Sequence, residues 1–347
     1  MNDNIEKNLI DQQIVIGITM GDPAGIGPEV IVKALNDPTI RRLAKFIIFG
    51  MNEQLTYAAD LSEIEPYWWR HQHEKLSRHY PHKVVVADYD DFSVPSWINA
   101  PSKAAGEASY RFCIDAIAAA RAGIIDAIVT APISKESWHL AGIKFPGHTE
   151  LLADKCKSPR KVMMFVAGPM KLALATIHEA LFEVRHKFTI GCVFEPIDLM
   201  NTALKEFFGI PAPKIGVAAL NPHAGEGGQF GDEEKRIIAP AITMAREVGI
   251  DAYGPFPADT LFLQAAQGKF DAVVAMYHDQ GMIPIKLLAF QEAVNVTIGL
   301  PIIRTSPAHG TAFDIAHKGT ADASSMKSAI KVAVEMVKTK KLTPSTR

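Results

Sequence analysis

At 347 residues the chain is long enough for roughly two domains of about 150 residues each, which excludes a single small core. It is 48% hydrophobic and 21% charged, an ordinary globular balance that excludes wholesale disorder and collagen-like repetition. A formal net charge of -2 leaves no overall electrostatic footprint for nucleic acid or an anionic membrane, so neither partner is expected.

In chain order, the polar opening Met1 to Ile10 lacks the basic start and apolar run of a signal peptide. Apolar runs bounded by Gly, Pro or Asn then recur at Ile14 to Thr19, Phe46 to Gly50, Lys83 to Ala87, Asp126 to Ala131, Lys161 to Ala167, Lys171 to Ile177, Lys214 to Leu220 and Asp271 to Tyr277. These predict buried strands. Helical spacing over Lys103 to Ala122, Asp232 to Val248 and Ser324 to Val337 predicts helices between and after them. The alternation argues an α/β fold with much parallel sheet. Ser102 is placed to cap the first of these helices and Gly123 to stop it.

The stretch Ser62 to His82 has no clean period and reads as a surface excursion, its His71, His73, His79 and His82 as solvated side chains. A domain change is expected after the Phe145-Pro146-Gly147-His148 turn, which gives a first α/β domain over 14–150, rejoined by 305–340, and a second over 151–304. No run of about eighteen apolar residues is present, so a membrane span is not expected. The three cysteines, Cys113, Cys156 and Cys192, have no CxxC spacing and read as reduced thiols of a cytoplasmic protein.

Two glycine clusters follow predicted strands. The segment Gly21 to Glu29 opens a helix at Pro28, and amides at such a helix start receive a phosphate or carboxylate in many proteins. It matches neither GxGxxG nor GxxxxGK[ST], so an empty strand-to-helix turn is an equal reading. The second, Asn221 to Gly231, is followed by Asp232, Glu233 and Glu234, whose carboxylates repel a pyrophosphate. A standard dinucleotide fingerprint is rejected there.

Histidine placement is more informative. His178, His223 and His278 each follow a predicted strand, and the carboxyl ends of parallel strands form the ligand crevice of open α/β sheets. Neutral imidazoles suit zinc, cobalt, iron or nickel, with positions left open for substrate oxygens. Isolated histidines at strand ends are also ordinary hydrogen-bonded loop residues, so spacing alone leaves both readings open. His148, Thr149, Asp259, Thr260, Asp279 and Gln280 stand beside glycine or proline as loop-tip polar groups. Lys286 and Arg304 lie in or beside apolar stretches, where each needs an anionic partner or exposure. Asn295 reads equally well as a turn residue satisfying its own backbone.

Taken together, Gly21 to Glu29, Gly147 to Glu150, Asn221 to Gly228, Pro257 to Thr260, Tyr277 to Gly281 and Gly299 to Thr305 resemble the 4-hydroxythreonine-4-phosphate dehydrogenase family over nearly the whole chain. The resemblance implies a two-domain fold like the isocitrate and isopropylmalate dehydrogenases, with an interdomain cleft and a homodimer that shares its active sites. It implies NAD, with NADP as the alternative, bound without the usual glycine fingerprint and with no residues assigned to it.

On the same resemblance His178, His223 and His278 are metal ligands, zinc being favoured over magnesium, cobalt, manganese, iron or nickel. His148, Thr149, Lys286, Asn295 and Arg304 contact substrate, and Lys286, Asp259 and Asp279 are the catalytic candidates. The implied reaction is oxidation and decarboxylation of 4-phosphooxy-L-threonine to an amino ketone phosphate on the route to pyridoxal phosphate. Met20 to Pro23, His278 to Phe290 and Thr311 to Ile315 also resemble a sister branch acting on 4-phospho-threonate. A non-catalytic metabolite sensor and a metal-dependent phosphohydrolase are the readings from other classes.

Overall fold

A computed structural model describes residues 13–342; the polar opening lies outside them. The strands are β1 (Val15–Thr19), β2 (Lys45–Gly50), β3 (Trp69–Gln72), β4 (Val84–Asp88), β5 (Ala127–Thr130), β6 (Val162–Ala167), β7 (Met170–Leu174), β8 (Ile215–Ala218), β9 (Ala252–Phe256), β10 (Ala272–Ala275), β11 (Val294–Ile298) and β12 (Ile303–Pro307). The helices used below are α1 (Gly27–Asn36), α2 (Lys103–Arg121), α3 (His148–Cys156), α4 (Ala239–Glu247), α5 (Ala258–Ala266), α6 (His278–Ala289) and α7 (Ser324–Leu342). Among the described residues no helix is long and apolar enough to cross a membrane.

The chain divides into two compact units. The first runs to Ser158 and resumes over Pro301–Lys338; the second comprises Pro159–Leu300 and the described residues from Thr339. In the first unit the strands lie in the order β3-β4-β2-β1-β5-β12, all parallel. Residues of β1, β4 and β5 are buried throughout, as expected where a parallel sheet is covered on both faces. Helix α2 is punctuated as its sequence predicts. Ser102 Oγ accepts from the Ala105 amide at 3.2 Å, and Gly123 takes a left-handed φ of 73° just beyond the C-cap.

In the second unit the order is β11-β6-β7-β10-β8-β9. The β11-β6 and β6-β7 pairs are antiparallel, whereas β7-β10, β10-β8 and β8-β9 are parallel. The α/β class expected from the alternation of runs is therefore observed.

Three expectations need correction. The excursion Ser62 to His82 contains β3, paired in parallel with β4 from Trp69↔Val85 to Gln72↔Asp88. Its exposed edge position removes the hydrophobic alternation by which strands are recognised. Three of its histidines are held on aromatic rings rather than merely solvated: His82 stacks on Trp69 and His73 on Tyr89, each at 4.0 Å, and His71 lies 4.5 Å from Tyr80. The helix expected over Asp232 to Val248 is observed as one continuous run from Glu233 to Glu247, but it does not open as a regular α-helix. A wide turn over Glu234–Ile238 precedes α4, whose first turn holds Pro240, a residue that cannot donate to the preceding carbonyl. Strands β9, β11 and β12 were not among the predicted runs. The Gly254-Pro255 pair breaks the pattern of β9, and polar Asn295, Thr297, Arg304, Thr305 and Ser306 interrupt the other two.

Candidate active site

In the first unit β1 lies between β2 and β5, so the connections diverge at its carboxyl end. This is the switch point at which open α/β sheets bind ligands. There the chain turns through Gly21, at φ 74°, where a Cβ would collide with the Pro132 carbonyl. The next residue fills the turn from within. Buried Asp22 accepts from the Ala24 amide at 2.9 Å and from Ser137 Oγ at 2.6 Å, and burial raises its pKa above the usual carboxylate value. The Asp22 carboxyl therefore occupies the donors of this turn from within, so the internal reading of this glycine segment is the one the geometry favours. Glu29, also buried, accepts from Lys33 Nζ at 2.7 Å and from the Ala321 amide at 2.6 Å, tying α1 to the segment before α7.

Beyond β5 stands a second buried charge. Arg304 on β12 donates from Nε and Nη2 to Thr130 Oγ1, at 3.2 and 2.7 Å. Burial pulls its pKa down to about 10, with Cys113 and Glu150 opposing that shift, so the guanidinium stays cationic at neutral pH. Burial pushes the Cys113 thiol up to about 12 and keeps it neutral. His148, the first residue of α3, has its Nε2 sealed from solvent without a hydrogen-bond partner among the described residues. Burial, and then the Arg304 charge, drive its pKa well below the ordinary imidazole value. The result is one fixed positive charge near a neutral imidazole with an unused polar atom, a combination suited to an anionic, hydrogen-bonding ligand. Thr149, also expected to bind substrate, is buried in the first turn of the same helix.

The second unit presents different chemistry. Strands β7, β10 and β8 are neighbours, and His178, His278 and His223 respectively follow their carboxyl ends. The rings of His178 and His278 lie 6.1 Å apart. They line a cavity of about 300 Å³ with Thr176, Glu179, Tyr277 and Asp279. Asp279 Oδ1 is 2.6 Å from His278 Nδ1, a contact that orients the ring.

His223 stands apart from this pair on a turn over Pro222–Gly228 with positive φ from His223 to Gly227. Its Nδ1 lies 3.1 Å from Glu226 Oε2. Among the described residues no group of three or more His, Cys, Asp or Glu side chains is gathered closely enough to hold a metal ion. Of the three expected donors, the His178 and His278 rings are neighbours, and no such group joins His223 to them.

The remaining expected residues are more scattered. Asp259 is exposed in the first turn of α5, and Lys286 is exposed on α6, the helix that begins with His278. Asn295 lies in β11 with its Oδ1 buried and without a hydrogen-bond partner among the described residues. Sequence reading passed over Thr130, Glu150, Glu234, which accepts from the Leu220 and Asn221 amides, and Gln280, which bridges the Met276 amide and the Ala219 carbonyl. For Glu234 a signal existed: an acid directly after a glycine-rich turn has a row of amides to accept from.

The family model of the pyridoxal phosphate biosynthetic protein PdxA matches residues 42–333. A 4-hydroxythreonine-4-phosphate dehydrogenase of Geobacter metallireducens is 46% identical over 333 residues, covering 94% of this chain and 96% of the relative. A D-threonate 4-phosphate dehydrogenase of Salmonella typhimurium is 45% identical over 325 residues, covering 92% and 98%. Among solved structures, the 4-hydroxythreonine-4-phosphate dehydrogenase of Klebsiella pneumoniae superposes with a TM-score of 0.85 at 39% identity, covering 94% of this chain and 98% of that one. The resemblance drawn from the ordered motifs therefore holds along almost the full length, and with it the expected α/β class.

Proposed function

This chain belongs to the family of the pyridoxal phosphate biosynthetic protein PdxA, and on that footing we propose that it is the dehydrogenase that oxidises and decarboxylates 4-phosphooxy-L-threonine with NAD, yielding an amino ketone phosphate. The geometric observation that carries this reading is the His178–His278 pair beside Asp279 at the carboxyl ends of parallel strands. NAD, or NADP in its place, accepts the hydride from the carbon bearing the hydroxyl. On the family resemblance His178, His223 and His278 are the residues that would hold a divalent ion, zinc before magnesium, cobalt, manganese, iron or nickel, and it would supply Lewis acidity toward an oxygen.

The chain's own residues have separable tasks. Arg304 offsets an anionic group of the substrate, and His148 Nε2, without a hydrogen-bond partner among the described residues, is a polar atom left in that unit to meet it; Thr149, Asn295 and Lys286 are substrate contacts on the family resemblance. Asp279 orients the His278 ring, and Asp259 orients water or the substrate amine. Once the hydroxyl is a ketone, the bond to the neighbouring carboxylate breaks, and its electron pair stays on the substrate carbon as an enolate. Lys286 Nζ then returns a proton to that carbon. Exposed Ile283, Leu287 and Leu288 on α6, with Phe290 just beyond it, support a homodimer in which this helix meets a second copy.

A second reading, oxidation of 4-phospho-threonate by the same steps, is favoured by the near-equal identity to the D-threonate 4-phosphate dehydrogenase. An amine and a hydroxyl differ by charge and donors, so one assay separates the two. NAD reduction is measured side by side with both compounds, with and without chelator. Faster reduction with 4-phosphooxy-L-threonine, lost to chelator and restored by metal, is expected. Faster reduction with the threonate selects the second reading, and chelator-insensitive turnover removes the metal. No reduction with either compound overturns the dehydrogenase assignment; ligand binding alone would mark a sensor, and phosphate release without NAD a phosphohydrolase.

A further inference from the structure

His148 opens α3 with its Nε2 sealed from solvent and without a hydrogen-bond partner among the described residues. A ring whose polar end is unused must be aimed by what packs against it. His148 leans on Trp138, whose indole lies 5.8 Å from the imidazole, centroid to centroid, at an interplanar angle of 73°. Such an edge-to-face pair is directional, because the ring quadrupoles favour it over a flat stack. The indole is itself held by α2. It is fully buried, its Nε1 donates to Ser109 Oγ at 3.0 Å, and Ser109 Oγ donates in turn to the Gly106 carbonyl at 3.1 Å. Tyr110, the next residue of α2, meets the same indole edge-to-face at 5.9 Å.

The backbone that carries Trp138 is fixed as well. It belongs to the short helix Lys135–Leu140, where Ser134 Oγ caps the start by accepting from the Ser137 amide at 3.1 Å. Ser137 Oγ donates to Asp22 at 2.6 Å and accepts from the Ser102 amide at 3.2 Å, which ties this helix to the Gly21 turn and to the cap of α2. We propose that Trp138 is a positioning residue that aims His148 Nε2 at the substrate anion that Arg304 offsets. This rests on the reading that His148 and Arg304 contact the substrate. A neutral imidazole carries a single N–H and no charge, so it serves an anion only through direction. A hydrogen bond weakens steeply once misaligned. Arg304 acts on the anion at any orientation, whereas His148 acts only when its ring is turned toward it, and the indole is what sets that turn.

The test uses the full-length enzyme with Trp138→Leu, which removes the aromatic contact, Trp138→Phe, which keeps a ring, and Ser109→Ala, which removes the acceptor of the indole N–H. In the NAD reduction assay Trp138→Leu is expected to raise KM for the phosphorylated substrate about 10- to 30-fold with kcat within about twofold, the loss of one well-aimed hydrogen bond to a charged group. Trp138→Phe is expected to bring KM back to within about threefold of the unsubstituted enzyme, since an aromatic edge-to-face contact is kept. In a His148→Ala background Trp138→Leu is expected to add less than about twofold, because its effect passes through the imidazole. The ring is read directly by NMR relaxation of isotope-labelled histidine in the free protein, where fast motion of the His148 ring is expected to rise in Trp138→Leu and, to a smaller extent, in Ser109→Ala. An unchanged KM, a full additional rise in the His148→Ala background, or unaltered ring motion overturns the proposal. Should Trp138→Leu fail to fold, Ser109→Ala carries every arm with a rise in KM of about threefold. Absence of NAD reduction by the unsubstituted enzyme would sink the functional reading alone, because the ring motion still decides whether Trp138 holds His148.

Discussion

The polar groups of the two units are held in opposite ways. In the first, Arg304 is fully buried against Thr130 and His148 is kept neutral by burial. In the second, His178, His223 and His278 sit on turns and a helix start at the surface, and their order comes from hydrogen bonds among the strand ends beneath them. A desolvated charge cannot relax toward water, so it is strong and rigid but costly to the fold. A surface imidazole costs the fold little and must be aimed by its neighbours. Substitutions should therefore separate: in the first unit removing a buried charge weakens binding while relieving a cost to the fold, whereas in the second catalysis moves while stability stays.

The largest effect that sharpens this contrast is expected from His178→Ala or His278→Ala. Each should lower kcat by about 10²- to 10³-fold, the range for removal of one electrostatic contributor at a reacting oxygen. The thermal midpoint should barely move; a large drop in melting temperature would break the contrast. Next is Arg304→Met, expected to raise KM for the phosphorylated substrate by about 30- to 100-fold, since a buried charge partner is worth that much to binding. Its thermal midpoint should hold or rise, because a desolvated cation has been replaced by an apolar chain of similar length; calorimetry and initial rates read the two together.

His148 gives a pH test. Its folded pKa is depressed, so as pH falls below about 6.5 the unfolded chain takes up a proton that the folded chain refuses, and stability drops by at most about 1.4 kcal/mol per pH unit. Above that pH the contribution is level. Subtracting the stability curve of His148→Gln from that of the unsubstituted protein, by urea denaturation from pH 7.5 to 5, should isolate this slope; parallel curves would contradict it. The smallest effect is expected from Ser102→Ala, which uncaps α2, the helix that places Cys113 near Arg304. About 1 kcal/mol of stability should be lost with KM unchanged.

How much of this was legible in the sequence follows the same division. Buried parallel strands such as β1, β4 and β10 are written as apolar runs, because both faces of each strand meet the core. Strands with a polar task escape that pattern. In β12 Arg304, and in β11 Asn295, occupy positions where an apolar residue would have announced a strand. The histidines stood out because each followed a recognisable strand end, yet their spacing could not say that two rings are neighbours and the third hangs from a left-handed turn. That turn depends on Glu234, which is remote from His223 in the helical pattern and reaches back to the amides before it. Gln280 was visible only as a polar residue before a glycine. Its value lies in what it spans, and no local signal records a span.

The most direct test of the account is the ratio of carbon dioxide released to NADH formed when the enzyme turns over 4-phosphooxy-L-threonine. Because oxidation leaves a ketone next to the carbon bearing the carboxylate, the account predicts one carbon dioxide for each NADH throughout the time course. NADH accumulating without carbon dioxide, or carbon dioxide appearing without NADH, would contradict it.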